Sequence, residues 1–235
     1  SNNLNSNGSP QVLVAPGVRA RIFGGSGNAV SVTGVAGVDI AGLDLNSTGA
    51  NGVDVTSNFL GPAASASIHD NVVTGAALEG IDVNASSASG ATVAVNNTSI
   101  TSAGNGLDVN SVGPAVISYT NGTITSTGGI GIRLDGTASN NLTITGLANV
   151  TIDGNTTGIG ISINTAKFDA ILGGAFDTVN GGAIAVGSSG NPVGGAGVVM
   201  SNVSGDLALS SLNVFGGTSG VTMTGTGLYT GSSGT

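Results

Sequence analysis

The segment GVDV at residues 52–55 returns as GIDV at 80–83 and as GLDV at 106–109. Related phrases, in which a glycine or alanine precedes two apolar residues separated by one variable residue, lie at 29–32, 131–134, 160–163, 183–186 and 220–223. The first apolar residues of successive phrases are 23 to 29 residues apart, except for a last step of 37. A repeat of this length indicates stacked units, none of which can bury its apolar face alone.

A second pair of apolar residues, five positions apart, precedes most of these phrases. Small polar residues such as Asp70, Asn71 and Asn97 lie between the two members, and such residues tolerate the backbone angles of a sharp corner. Apolar and polar residues alternate within each segment, which is the period of a strand. Each unit is therefore predicted to be strand, corner, strand, glycine-rich corner, strand. The pairs are Ile40 and Leu45, Ile68 and Val73, Val95 and Ile100, Tyr119 and Ile124, and Leu209 and Val214.

Composition supports the same fold. Glycine occupies 43 of 235 positions, which argues against a helix bundle, and 3% aromatic residues suit only a narrow core. An antiparallel sandwich explains the alternation but not the repeated phrase. We therefore predict an all-β parallel β-helix (β-solenoid) of about eight coils of roughly 23–29 residues. Its predicted range is 12–225, with a flexible or connecting segment at 1–11 and a Gly/Ser/Thr-rich segment at 226–235. The final long step is predicted to hold an insertion near 191–195.

Charge and residue content exclude several classes of function. The formal net charge of −8 opposes binding to nucleic acid, which requires a basic surface. The chain has no cysteine for disulfide, zinc or thiol chemistry, and no apolar stretch approaches the roughly 20 residues of a membrane-spanning helix. We predict no cofactor, no nucleic-acid partner and no membrane-spanning segment.

The GVDV-type phrases, together with corners such as NNTSI at 96–100, resemble right-handed parallel β-helices of the pectate-lyase-like type. The sequence is most similar to the repetitive passenger regions of autotransporter adhesins and related bacterial surface proteins. This resemblance implies a secreted, elongated rod of low charge that is displayed outside the cell and is adhesive or structural.

The middle residues of the repeated phrase form a candidate site. They point away from their apolar neighbours, so we expect them to face solvent, and in three consecutive coils they are Asp54, Asp82 and Asp108, followed by Arg133. The resemblance to pectate lyases implies the three aspartates as calcium ligands and Arg133 as a base. The simpler interpretation is a solvated charged face, in which Arg133 offsets some of the repulsion. We therefore predict no catalytic residue and no metal, with Asp54, Asp82 and Asp108 as weak calcium candidates.

The predicted function is an extracellular structural or adhesive rod of a bacterial cell surface and not an enzyme. The alternative is a polysaccharide lyase, hydrolase or phage tailspike-like enzyme on the same scaffold. His69 and Asp70 form a candidate acid–base pair, although surface hydrogen bonding is the simpler role for this histidine. Inward-facing corner asparagines are predicted to form stacked amide ladders. No capping helix is recognisable at either end, so we expect end-to-end stacking of copies, and a host or matrix glycan or protein is a further candidate partner.

Overall fold

A computed structural model describes residues 19–58, 61–86, 88–138, 141–153, 158–172 and 178–225. These residues form 19 strands and no helix, and every pair of neighbouring strands is parallel. The predicted parallel β-solenoid is confirmed, with about seven turns where the sequence predicts about eight coils. The predicted segments 1–11 and 226–235, and residues 12–18 of the predicted solenoid, lie outside the described residues.

Three parallel sheets run along the solenoid, and each turn of the chain contributes to sheets A, B and C in that order. Sheet A contains eight strands, and each of the seven turns runs from one of these strands to the next. They are β2 (Val30–Thr33), β5 (Val53–Thr56), β8 (Ile81–Ala85), β11 (Leu107–Ser111), β13 (Ile132–Gly136), β15 (Ile161–Phe168), β17 (Val198–Ser204) and β19 (Val221–Thr224).

Sheets B and C share the longer strands of the later turns. Sheet B begins with β3 (Val38–Ala41), β6 (Ala64–His69) and β9 (Ala91–Asn96), and sheet C with β1 (Ala20–Gly25), β4 (Leu43–Ser47), β7 (Val72–Ala76) and β10 (Ser99–Ser102). Four longer strands each belong to two sheets: the first half continues sheet B and the second half continues sheet C. These strands are β12 (Ala115–Ser126), β14 (Leu142–Asp153), β16 (Val179–Val186) and β18 (Leu207–Val214). The ends of β15 and β17 also pair in sheet B.

The core is a column of aliphatic side chains stacked coil upon coil. In sheet A, Val53 pairs with Ile81, Ile81 with Leu107, and Leu107 with Ile132. All four side chains are fully buried, as are the predicted pairs from Ile68 and Val73 to Tyr119 and Ile124. The predicted inward orientation is therefore confirmed at these positions.

The corner between sheets B and C depends on residues that accept a left-handed backbone. Positive φ angles fall at one equivalent position in successive coils, with values of 46° to 67°. Glycine adopts this conformation freely and asparagine and aspartate tolerate it, whereas most other residues are sterically disfavoured there. The corner residues are Gly42, Asp70, Asn97, Asn121, Asn149 and Gly182.

One repeated phrase lies in a different sheet from the one predicted. Ile184 and Val186 pair with Val150 and Ile152 in sheet C. The sheet A strand of this turn is β17, in which Val198 pairs with Ile161. The step of 37 residues thus lies between Ile161 and Val198, and the last step has 23 residues, the reverse of the predicted order. Both phrases have strand alternation, and pairing across coils decides which sheet each joins.

A column of glycines explains why the phrase begins with glycine. Each of these glycines accepts, through its carbonyl oxygen, the backbone N–H of a sheet A residue one coil away, as Gly131 does from Leu107 at 3.0 Å. A Cβ on Gly106 would overlap the Cγ2 of Ile124 and the carbonyl oxygen of Gly131. Sheet C side chains therefore reach this corner only because no Cβ is present. The column comprises Gly52, Gly80, Gly106, Gly131, Gly160 and Gly197.

Candidate functional site

The three aspartates singled out in the sequence form one column on the outer face of sheet A. Asp54 pairs in register with Asp82, and Asp82 with Asp108, so neighbouring members are separated by one strand spacing of roughly 4.8 Å. Arg133 follows Asp108 in the next coil. We call Asp54, Asp82 and Asp108 the acidic column. The predicted stacking of these side chains is confirmed.

The expectation that this column faces solvent is wrong for Asp108. This residue is only 7% exposed, and its side chain lies among those of neighbouring coils. Its Oδ2 accepts hydrogen bonds from Arg133 Nη1 at 3.1 Å and from Asn105 Nδ2 at 2.8 Å. Its Oδ1 is buried and has no hydrogen-bond partner within the described ranges. A buried carboxylate oxygen without a donor is costly, so this atom marks an electrostatically strained point of the outer face.

Asparagine amides support the column from both sides. Asn51 accepts the backbone N–H of Glu79 and donates to Asp82 Oδ2 at 3.1 Å. Asn84 donates to the same oxygen at 2.9 Å. Asn105 also accepts a backbone N–H of the following coil, that of Ile130, but it donates to Asp108 in its own coil. These amides fix the carboxylates in place while joining adjacent coils.

Crowding of carboxyl groups changes their affinity for protons. Burial, followed by the charges of Asp108, Asp54 and Glu79, raises the pKa of Asp82 from 3.8 to about 6, although a hydrogen bond from Asn84 acts in the opposite direction. Burial and the charge of Asp108 also raise the pKa of Glu79. The column therefore holds a carboxyl group that changes its protonation within the mildly acidic range.

Arg133 is bound as a cation between two carboxylates. It contacts Asp108 at 3.1 Å and Asp135 Oδ2 at 3.2 Å. Burial by itself lowers the pKa of this guanidinium, but Asp108 and Asp135 together raise it above its ordinary value. A base must lose its proton, so this environment works against the basic role that the resemblance implies for Arg133.

The acidic column is not arranged as a metal site. Within the portion of the chain that the structure describes, no group of three or more His, Asp or Glu side chains is placed to hold a metal ion. Calcium prefers six to eight oxygen ligands that converge on one point. Calcium at Asp54, Asp82 and Asp108 thus has no geometric support and stays a prediction.

The candidate acid–base pair lies on the outside of sheet B. His69 Nδ1 is 2.8 Å from Asp70 Oδ2, and its Nε2 is 3.1 Å from Asp39 Oδ1 in the neighbouring coil. The hydrogen bond with Asp70 and the nearby charge of Asp39 raise the pKa of His69, despite a smaller opposing effect of desolvation. Both ring nitrogens are thereby engaged in cross-coil and corner contacts, which fits the surface hydrogen-bonding role.

The corner asparagines form an amide ladder, but it is exposed and not inward-facing as predicted. Asn121 donates to Asn96 Oδ1 at 3.1 Å, and Asn149 donates to Asn121 Oδ1 at 2.9 Å. Asn149 then accepts the N–H of Ala183 at 3.2 Å. The ladder joins successive coils outside the aliphatic core.

A shallow depression lies at the corner that follows the middle strands of sheet A. Its volume is about 200 Å³, below the roughly 300 Å³ at which small-molecule pockets begin. It is open to solvent and too small to enclose a sugar chain. The lining residues are Thr56, Ser57, Asn84, Ala85, Ser86, Asn110 and Val112.

Sequence reasoning missed the groups that modify the acidic column. Glu79, Asn51 and Asn105 each lie two positions before the first apolar residue of a phrase, and Asp135 lies two positions after Arg133. The recurrence of asparagine or glutamate at that position, starting with Asn28, was the available signal. Its meaning depends on contacts between coils that local spacing does not reveal.

Comparisons with protein-family models, with curated proteins and with solved structures found no match. The described residues include no helix that is long and apolar enough to cross a bilayer. The fold is thus established by its own strand pairing, and the likeness to pectate-lyase-like autotransporter regions stays a prediction.

Proposed function

We propose that this chain is an extracellular structural or adhesive rod of a bacterial cell-surface protein. The observation that supports the proposal is the unbroken registry of sheet A, in which eight strands stack from β2 to β19. Each coil adds roughly 4.8 Å, so these strands span roughly 34 Å. Each added coil lengthens the molecule without forming a deep cleft, which suits a spacer or shaft.

The outer residues favour weak, repeated contacts over a single binding pocket. In sheet C, Ser99 pairs with Thr123 and Thr101 with Thr125, which places hydroxyl groups in rows on the outside. Hydroxyl groups both donate and accept hydrogen bonds, as do the hydroxyls of sugars. We propose a host or matrix glycan or protein as the adhesive partner. We also propose that this rod is similar in role to the repetitive passenger regions of autotransporters.

Antibody labelling of the source cells tests the location. We expect antibodies raised against the purified chain to label intact cells as strongly as permeabilised ones. Labelling that requires permeabilisation contradicts an extracellular rod. An antibody against a cytoplasmic protein serves as the control for intact membranes.

A second candidate is a polysaccharide lyase or hydrolase, and one observation favours it. Asp82, whose pKa is raised to about 6, is adjacent to the ion-paired Asp108, and carboxyl pairs with separated proton affinities serve as acid and base in glycosidases. Incubation with pectin, alginate and host glycans distinguishes the candidates. We expect no turnover by the rod. Turnover that disappears in Asp82→Ala but persists in the outward Asp44→Ala would favour the enzyme.

A further inference from the structure

The two ends of the described solenoid expose residues that the middle coils bury. Val221 and Met223 in β19 are 43% and 46% exposed, whereas their partners in the preceding coil, Val198 and Met200, are 3% and 7% exposed. At the opposite end, Ile22, Val30 and Val38 are only partly buried. Each end therefore presents the open face of the aliphatic column.

Strand edges are open at the same places. Among the described strands, β1, β2 and β3 each pair on one side only, with β4, β5 and β6. At the other end, β18 pairs with β16 and β19 with β17. Exposed edges of parallel strands are templates for pairing with another chain.

The two ends are complementary in sheets A and C when the register is continued by one coil, whereas in sheet B this leaves one strand position between β18 and β3 without a described strand. Sheet A would place Val221 and Met223 over Val30 and Val32, which repeats the pairing of Val198 and Met200 with Val221 and Met223. Sheet C would place Val214 over Ile22, because Val214 and Ile22 occupy the same column as Val186 and Leu45. The apolar positions that would meet are Leu212, Val214, Val221 and Met223 at one end and Ala20, Ile22, Val30 and Val32 at the other.

We propose that the last coil of one copy stacks on the first coil of a second copy, head to tail. The partner is a second copy because a match requires two parallel edges with the spacing of sheets A and C at once. A single extended peptide would pair with one edge and leave the other apolar columns in water. This inference rests on the proposed function of a rod, which it extends to a filament.

The direction of stacking follows from the internal interfaces. Every coil pairs with the next in parallel, and head-to-tail contact repeats that arrangement. A two-fold arrangement would oppose two identical ends and make their strands antiparallel. Head-to-tail contact uses two different surfaces and continues the solenoid along its own axis, so copies do not close into a ring and yield filaments of unlimited length.

Two variants with one blocked end each provide the test. Val30→Asp places a charge in the first coil, and Met223→Asp places one in the last, where an unpaired buried charge is strongly disfavoured. We expect the wild-type chain to show an average mass that rises with concentration in sedimentation equilibrium, and filaments by negative-stain electron microscopy. Each variant alone should remain monomeric. An equimolar mixture should form dimers of one copy each and stop there.

Several outcomes would overturn the proposal. A wild-type chain that stays monomeric at high concentration shows that the ends are covered by other means, including the chain's own residues outside the described ranges. Dimers formed by either variant alone indicate two-fold contact. A mixture that forms no dimer shows that the blocked surfaces are not partners.

Matched controls separate stacking from folding. Thr222→Asp places the same charge on the outer side of β19 and should leave assembly within twofold of the wild type. Far-UV circular dichroism must match the wild type for each variant, and Ala20→Asp replaces Val30→Asp if that variant loses its strand signal. If the chain is monomeric but antibodies still label it on intact cells, the stacking is contradicted and the proposed function is not. Polysaccharide turnover contradicts the proposed function whatever the assembly state.

Discussion

At the scale of the residue, Asp82 links the stability of the solenoid to pH. Its pKa is raised from 3.8 to about 6 in the fold, so the folded chain retains a proton that the unfolded chain releases. Stability therefore falls as the pH rises from about 4 to about 6, and the full penalty remains above that range. We expect Asp82→Asn to raise the free energy of unfolding by about 1–2 kcal/mol at neutral pH, after allowance for contact with water.

The measurement is urea unfolding of wild type and variant at about pH 3, below the pKa of the unfolded side chain, and at about pH 8. The two midpoints should coincide at the lower pH, where both side chains are neutral. Asp44→Asn is the control with the opposite sign, since Asp44 binds Arg21 at 2.8 Å and its loss should not stabilise the chain. A stabilisation by Asp82→Asn that is equal at both pH values would contradict the electrostatic explanation.

At the scale of the element, the glycine before each sheet A strand controls how closely sheet C approaches. Gly106 leaves space for the Cγ2 of Ile124 and for the carbonyl oxygen of Gly131. We expect Gly106→Ala to lower the free energy of unfolding by about 1–3 kcal/mol, because the added methyl group overfills a packed interior. The shift in the urea midpoint measures this effect.

The last coil supplies a matched control for the same substitution. Gly220 occupies the equivalent position before β19, but a Cβ there would meet no atom within 4 Å. In the Met223→Asp background, in which no second copy covers the last coil, Gly220→Ala should therefore leave the midpoint unchanged or raise it slightly, since alanine restricts the unfolded chain. Equal destabilisation at both positions would show that the close approach of sheet C is not the cause.

At the scale of the whole molecule, stability is expected to vary along the axis. In a solenoid each coil contacts only its neighbours, so a central coil has two stabilising interfaces and a terminal coil has one. We expect amide hydrogens of β8, β11 and β13 to exchange more slowly than those of β2 and β19. Hydrogen-exchange mass spectrometry on the monomeric Met223→Asp variant measures this difference.

Uniform exchange along the chain would indicate that the solenoid opens only as a single unit. Comparing hydrogen exchange in the assembled wild type with that in the variant also tests the stacking, because head-to-tail contact should slow exchange at both ends and leave the middle unchanged. Protection confined to one end would be inconsistent with that arrangement.

Much of this fold was predictable because strand alternation is local. The residues beside Val53, Ile81, Leu107 and Ile132 indicate that these side chains point inward, and the backbone preferences of Asn97 and Asn121 indicate a corner. For the candidate site, the sequence predicted that the three aspartates align in one column but not that one of them is buried. The burial of Asp108 depends on Asn105 in its own coil and Arg133 in the next, so no single segment of sequence contains it.

By itself, the sequence determined the repeat, the parallel solenoid and the stacking of Asp54, Asp82 and Asp108, because periodic spacing and side-chain alternation are properties of the chain. Tertiary structure alone decided that residues 183–186 join sheet C while Val198 and Met200 join sheet A. It also decided that Asp108 is buried with an unpaired oxygen. Both outcomes depend on which strands meet across coils, where hydrogen bonding and packing between distant segments select among locally equivalent strands.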